Sequence, residues 1–450
     1  MLNKFEINNK LIDNLESLII DKDTITIAKL LQEVHPADIA DIIEQLSEKN
    51  AQFLFKVFEN PKSADIIVEL EDDVRESILS VLSAKKIAKD LIDNLESDDA
   101  ADVLAELPDK KKENVLSHIK NKVQAEDISD LLKYPENSAG SLMAKELVKV
   151  NENWTTLKCL KEMRNQAEKI KNIHTIYVVN DSNKLLGLLS LKRLLVIEKS
   201  TTIKSITNRD IISVKTNESN EDLANIMNKY DLIVIPVVDE KNILLGRITI
   251  DDILDFVKEE AEKDYQMASG ISEDVVPNDN IWNITKARLP WLLIGLIGGV
   301  LGAKIIGIFD LKNNLFELAF FIPLITAMGG NVGVQSAAIV VQGLANKNLK
   351  VNNISNKLFK ELGVAIFNGL ICSTIILLVT ILIGYSMAIS ITVSISLLAV
   401  IIFAALFGTF IPLILEKYKI DPALATGPFI TTINDILGLF IYFIIGKNII

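Results

Sequence analysis

The sequence predicts a multidomain membrane protein: an all-α N-terminal helical solenoid, then a duplicated α+β pair, then an all-α five-span transmembrane bundle. Three observations predict it. Residues 1–133 repeat apolar side chains at three- and four-residue spacing. A strand–turn–strand–helix phrase recurs at a constant offset of 59 residues. Beyond Trp291 lie five apolar stretches, and four of them exceed the roughly 18 residues that argue a membrane span.

Charge is divided in the same way. The 450 residues carry a net charge of −12. From residue 281 onward there are 11 Lys+Arg and 6 Asp+Glu, a net of +5, so the first 280 residues hold a net of −17. A half this acidic repels phosphates, which argues against a nucleic-acid partner; on composition alone it reads as ordinary acidic solubility, with attraction for cations as the alternative. Cys159 and Cys372 fall in different domains and offer neither a disulfide framework nor a thiolate metal site. His35, His118 and His174 lack zinc spacing. The polar, acidic start reads as no cleaved signal peptide. No P-loop, G-x-S-x-G elbow or H-E-x-x-H helix occurs, so an enzyme is not expected.

In the first domain, residues 1–133, a short phrase returns as Ala37-Asp38-Ile39, Ala64-Asp65-Ile66 and Ala101-Asp102-Val103. Each sits in a helix-like segment followed by a polar break, which suits stacked helical hairpins with a shared core. The Ala-Asp pairs read as helix starts, where an acid complements the helix dipole.

The duplication occupies residues 138–200 and 201–254. Ile176-Tyr-Val-Val179 returns as Ile235-Pro-Val-Val238, and Leu185-Leu-Gly-Leu188 as Leu244-Leu-Gly-Arg247. The turns Asn180-Asp-Ser-Asn183 and Asp239-Glu-Lys-Asn242 carry hairpin chemistry. A helix precedes each copy, over 155–166 and 221–229. This pattern resembles a tandem pair of CBS domains, a pseudo-symmetric module that often senses adenine nucleotides. The resemblance implies ATP as a candidate ligand of the pair. Next comes an acidic connecting helix, expected over 255–285. Asp252, Asp255, Glu259, Glu260 and Glu262 crowd its start. Acids this dense read either as a solvated face or as oxygen donors for a hard cation.

The last domain, 286–450, has spans at about 290–308, 315–342, 359–384, 388–415 and 421–445. Lys347, Lys350, Lys357 and Lys360 follow the second span, and Lys417 and Lys419 follow the fourth. Only Lys312 follows the first span, and no lysine follows the third. The positive-inside rule then puts the N-terminal half in the cytoplasm and the C-terminus outside. The spans are expected to sit in membrane lipid. Gly295/Gly299 and Gly298/Gly302 have the small-x-x-x-small spacing of close helix packing. Asn331 and Gln335 lie four apart on one face of the second span, suited to helix contact or to an ion's water shell. Asp435 is the one acid deep in a span, fourteen residues, or about 21 Å of helix, beyond Asp421. A carboxylate at that depth costs at least about 2.5 kcal/mol on insertion scales, and such residues normally face water, a partner or an ion path.

From end to end the chain resembles the MgtE-type family of magnesium channels and transporters. The resemblance rests on the domain order and on Arg288-Leu-Pro-Trp291, Gly329-Gly-Asn-Val-Gly-Val-Gln-Ser336, Asp421-Pro-Ala-Leu and Thr432-Ile-Asn-Asp435. It implies a homodimer in a bacterial inner membrane, with one pore on the two-fold axis. Asp435 is then the pore carboxylate, Thr431 and Gly427 offer carbonyls one and two turns earlier, and Asp421 stands at the mouth. Their four-residue steps put Gly427, Thr431 and Asp435 on one helix face. The family takes Mg2+ with its water shell largely intact, in keeping with the ion's reluctance to dehydrate. The resemblance also makes the acidic half a Mg2+ sensor that closes the pore, through Asp65, Asp98, Asp102, Asp231, Asp252, Asp255, Glu260 and Asp264. Lys263 departs from it, standing where another acid is expected. Two rival readings stay open: a carrier of another divalent cation such as Co2+ or Mn2+, and a non-conducting membrane-bound nucleotide sensor.

Overall fold

The computed structural model describes residues 7–167, 170, 172–272, 275, 280–309, 313–345, 354–425 and 427–450. It divides into two units, Met1–Val257 and Lys258–Ile450. Lys312, Lys347 and Lys350 of the orientation argument lie outside the described residues.

Unit 1 opens with short helices: α1 (Asn9–Ile20), α2 (Thr24–Leu30), α3 (Pro36–Glu44), α4 (Glu48–Phe55), α5 (Lys62–Glu69), α6 (Asp72–Ser80), α7 (Ala84–Lys86), α8 (Ser97–Ala105), α9 (Asp109–His118) and α10 (Lys122–Leu131). Local chemistry sets their starts. The Asp23 carboxylate accepts the Thr26 N–H at 3.1 Å, and His35 Nδ1 accepts the Ala37 N–H at 3.2 Å ahead of Pro36. The apolar stripes meet in a core that includes Leu15, Ile39, Ile42, Leu54, Ile66, Ile67, Ile92 and Leu104. Asp38 and Asp65 stand in the first turns of α3 and α5, as expected. Asp102 does not, because α8 begins five residues earlier, at Ser97. A distant partner starts that helix: Glu146 Oε2 accepts the Ser97 N–H at 3.1 Å and its hydroxyl at 2.7 Å.

The duplicated domain forms two three-stranded sheets with the same design. In the first, β1 (Val148–Asn151) runs parallel to β2 (Ile176–Val179), which pairs antiparallel with β3 (Leu185–Leu189). In the second, β4 (Val214–Lys215), β5 (Val234–Val238) and β6 (Leu244–Thr249) repeat that order. The helices are α11 (Thr156–Ala167), α12 (Leu191–Val196), α13 (Ile203–Ile206) and α14 (Asn220–Lys229). Even the irregularities obey the 59-residue offset. The bulges fall at Val178/Val179 and Val237/Val238, and the left-handed turn residues are Asn183 and Asn242. Asn242 O accepts the Leu185 N–H at 3.0 Å, and Asn183 O accepts the Leu244 N–H at 3.1 Å. These mirrored bonds mark the local two-fold axis. The core of the second copy is continuous with that of the helical domain through Leu223, Met227, Ile235, Val237 and Ile248.

Helix α15 (Ile250–Ala268) follows. It is shorter than the connecting helix expected to reach 285. It ends because Gly270 takes a left-handed φ of +79°, with the Ile271 N–H on Gln266 O at 3.0 Å. Residues 281–285 belong instead to α16 (Ile281–Ile308), whose start is capped by Asn280 Oδ1 on the Trp282 N–H at 2.8 Å. Four more long helices complete the bundle: α17 (Ile322–Ala345), α18 (Ile354–Ile383), α19 (Met387–Lys417) and α20 (Gly427–Ile449). All five are long and apolar enough to cross a membrane. The second span starts as a tight 3-10 segment, Asn313–Phe321, before α17. The fifth begins at Gly427 rather than 421, because Pro422–Ala425 forms a separate turn whose Ala423 N–H is held by Asp421 Oδ1 at 2.8 Å.

Helix α19 is the centre of the bundle, burying Val393, Leu397, Val400, Ile401 and Leu413. Small residues let the others close on one another. A Cβ on Gly408 would lie 2.3 Å from Gly333 O, and one on Gly333 would lie 1.9 Å from Asn434 Nδ2. Of the two small pairs on α16, Gly298 and Gly302 meet Thr432 and Leu439 of α20, whereas Gly295 and Gly299 have nothing within 4 Å.

Candidate functional site

Asp435 lies eight residues into α20, half-buried, on the wall of a cavity of about 900 Å3 within unit 2. Arg288, Trp291, Thr326, Thr431 and Thr432 share that wall. No hydrogen bond or ion pair engages the Asp435 carboxylate among the described residues. The neighbouring helix is close because it carries glycine there: a Cβ on Gly330 would be 3.8 Å from Asp435 Oδ1. Thr431 sits one turn before Asp435. Its hydroxyl donates to Gly427 O at 3.3 Å and to Pro428 O at 3.1 Å, which leaves its oxygen lone pairs open to the cavity. Gly427 is the first residue of α20, not part of the cavity wall. It has φ +53°, and a Cβ there would be 2.4 Å from Ala268 O, so glycine alone fits without strain. Asp421 is exposed just ahead of α20. Asn331 and Gln335 are exposed on α17 in mid-span and do not line this cavity.

Sequence patterning missed Asn434. It is 1% exposed, and both of its amide heteroatoms lack a hydrogen-bond partner among the described residues. A single Asn amid apolar neighbours carries no periodic signal. Its contact with Gly333 exists only once the helices pack.

In unit 1 the fold brings Asp98 and Asp252 into each other's field. Asp98, at the start of α8, is 8% exposed. Burial first, then the charges of Asp99 and Asp252, holds its carboxyl well above the usual carboxylate range. Asp252 accepts from Thr249 at the start of α15, the N–H at 3.1 Å and the hydroxyl at 2.7 Å, and burial still pushes it up to about 6. A buried Asp98 within the field of a half-buried Asp252 suits a cation with oxygen ligands, or a proton. Asp102 is exposed on the next turn of α8 and acts on Arg75, which pairs with Glu106. Asp65 is half-buried on α5, Asp255 is exposed on α15, and Asp231 is exposed with φ +52° after α14. Among the described residues no three or more acids, histidines or cysteines converge as a ready metal cage.

The contacts that seat α8 on the second copy were also missed. Arg247 is buried on β6, pairing with Glu96 at 2.7 Å and donating to Glu146 O at 2.8 Å. The duplication held the signal, since Arg247 stands where the first copy has Leu188. In unit 2, Lys263 binds Glu260 at 3.2 Å. That bond, then the charges of Glu260, Asp421 and Asp264, holds the Lys263 ammonium above the ordinary lysine range. Asp264 is half-buried beside it on α15.

Five apolar helices behind a helical domain and a duplicated α+β pair, with Asp435 unpaired among the described residues at membrane depth, define a multi-pass membrane protein of the cation-transporter class. The comparisons agree segment by segment. Residues 322–445 match the family described as MgtE, divalent cation transporter; residues 34–137 match the MgtE intracellular N domain; and residues 139–199 and 203–259 match CBS domains. The magnesium transporter MgtE of Bacillus subtilis is 34% identical over 92% of each chain. That of Thermus thermophilus is 29% identical over 97% of this chain and 98% of its own. A crystal structure of the cytosolic domain of the Mg2+ channel MgtE in complex with ATP is 29% identical, with a TM-score of 0.50 over 54% of this chain and 99% of that one. The chain belongs to the MgtE family.

Proposed function

We propose that this protein is a magnesium-selective, magnesium-gated channel for Mg2+ uptake. The observation that carries the reading is the Asp435 carboxylate, unpaired on a cavity wall inside an apolar bundle and one turn from Thr431. An acid at that depth without a protein partner needs water or a cation beside it. One carboxylate and one hydroxyl are too few ligands for a dehydrated Mg2+, so the ion passes with most of its water retained. The similar magnesium transporters of Bacillus subtilis and Thermus thermophilus support magnesium as the substrate.

The protein acts as a homodimer. In one chain, Asn331 and Gln335 are exposed amides on an apolar span and Asp435 faces an open cavity. A second copy placing its own α17 and α20 opposite gives these groups a water-lined partner surface. Residues 1–133, the CBS copies at 138–200 and 201–254, and the acidic segment 255–285 form the cytoplasmic regulator, and 286–450 forms the pore domain of an inner-membrane protein with its C-terminus outside. Mg2+ held by Asp65, Asp98, Asp102, Asp231, Asp252, Asp255, Glu260 and Asp264 favours the closed state, and its loss restores repulsion and opens the pore. Asp98 and Asp252 fit such a role, since burial and neighbouring acids disfavour the charged form of each.

Adenine nucleotide is a second regulator. The local two-fold puts Lys192-Arg193 of the first copy where the second has Asp251-Asp252. The exposed basic pair suits a polyphosphate and the acidic pair suits a cation, which accords with the ATP named for the similar cytosolic domain.

The test is Mg2+ flux through purified protein in liposomes, with Mg2+ titrated on the face bearing the N-terminal half. Native flux falls as that Mg2+ rises, and Asp435→Asn loses flux at every concentration. Absence of native flux at any concentration would replace this reading with the non-conducting sensor.

A further inference from the structure

Lys263 is a cation built into an acidic helix end. Around it on α15 stand Glu259, Glu260, Glu262 and Asp264, with Lys258 more than a turn away. Its ammonium is 3.2 Å from Glu260 Oε1 and lies within the field of Asp264 and of Asp421, which precedes α20. The two helices are in direct contact nearby. The Ala268 carbonyl at the end of α15 lies where a Cβ on Gly427 would be 2.4 Å away, and Gly270 approaches Pro428 as closely as 2.5 Å by the same measure. Thus an acidic helix end is seated at the start of the helix that carries Asp435, next to another acid. Like charges at that junction oppose seating.

We propose that Lys263 is a tethered counter-cation for this junction: its ammonium offsets the charge of Glu260, Asp264 and Asp421, so that α15 seats on α20 with less divalent cation than the acids alone would demand. A mobile Mg2+ must be drawn from solution to do this, and its effect vanishes with its concentration. A lysine on the chain is present at every concentration. It therefore sets how far the ion level must fall before α15 lifts from α20. The inference rests on the magnesium-gated reading above and deepens it by assigning part of the set point to one residue.

Two measurements on the full chain test it. The first is the Mg2+ concentration that halves flux in liposomes. Lys263→Met raises it by about two- to fivefold, the range a half-exposed charge pair supports, and Lys263→Arg leaves it near the native value. The second is hydrogen exchange of the 258–268 amides in lipid nanodiscs, read against Mg2+. Protection appears in Lys263→Met only at higher Mg2+ than in the native chain. An unchanged or lowered midpoint in Lys263→Met, by both readouts, overturns the proposal while native flux still responds to Mg2+. If the exchange midpoint moves but native flux ignores Mg2+, it is the magnesium-gated reading that fails.

Discussion

Asp435 makes the sharpest demand of any residue in the chain. The amide of Asp435→Asn keeps the shape but removes the charge that, in the proposed pore, attracts a hydrated cation. Divalent flux should fall at least about tenfold, equivalent to about 1.4 kcal/mol on the barrier. Flux within twofold of native would remove Asp435 from the path. Gly408 makes a steric demand. A Cβ there would lie 2.3 Å from the backbone oxygen of Gly333, which cannot swing aside as a side chain could. Gly408→Ala should destabilise the bundle by about 1–3 kcal/mol, seen as a lower thermal midpoint in detergent. Gly299→Ala, with nothing within 4 Å, should leave that midpoint unchanged.

At the scale of elements, the seat of α8 on β6 combines a buried ion pair with a buried acid pair. Arg247→Met removes the Glu96 counter-charge, and Glu96 Oε1 already lacks a hydrogen-bond partner among the described residues. The expected loss is about 3–5 kcal/mol in unit 1, measured by denaturant unfolding. The acid pair adds a pH dependence. Asp98 and Asp252 are both raised in the folded state, Asp252 from an ordinary carboxylate value to about 6. The folded form therefore binds protons more tightly than the unfolded one, and the Asp252 contribution to stability falls as pH rises between about 4 and 6. In chelator, unit 1 should melt at a lower temperature at about pH 6 than at about pH 4.5. Saturating Mg2+ should shrink that difference, and Asp252→Asn should shrink it without metal. A pH difference that survives Asp252→Asn undiminished would place its origin elsewhere.

At the scale of the molecule, the proposed homodimer would bring a second chain to the exposed amides of α17 and the open side of the Asp435 cavity. Native mass spectrometry from detergent should report two copies, and one copy throughout would remove the shared pore. Much of this protein was legible in its sequence because the signals are local and periodic. Helical spacing marked the first domain, the 59-residue offset marked the CBS pair down to matching bulges, and uninterrupted apolar runs marked the five spans. Asp435 stood out because a charge in an apolar run is costly wherever the helix packs. Packing decided the rest. Where α8 begins depends on Glu146, 49 residues from Ser97. Where the acidic helix ends depends on a left-handed Gly270, and where the last span begins depends on a turn held by Asp421. The company of Asp98 and Asp252, the orphaned amide of Asn434 and the counter-charges around Lys263 each join residues far apart in the chain. Periodicity reports which face of one element is apolar. Only the folded chain decides which charged groups those faces bring within a few ångströms of each other, where their energies become large.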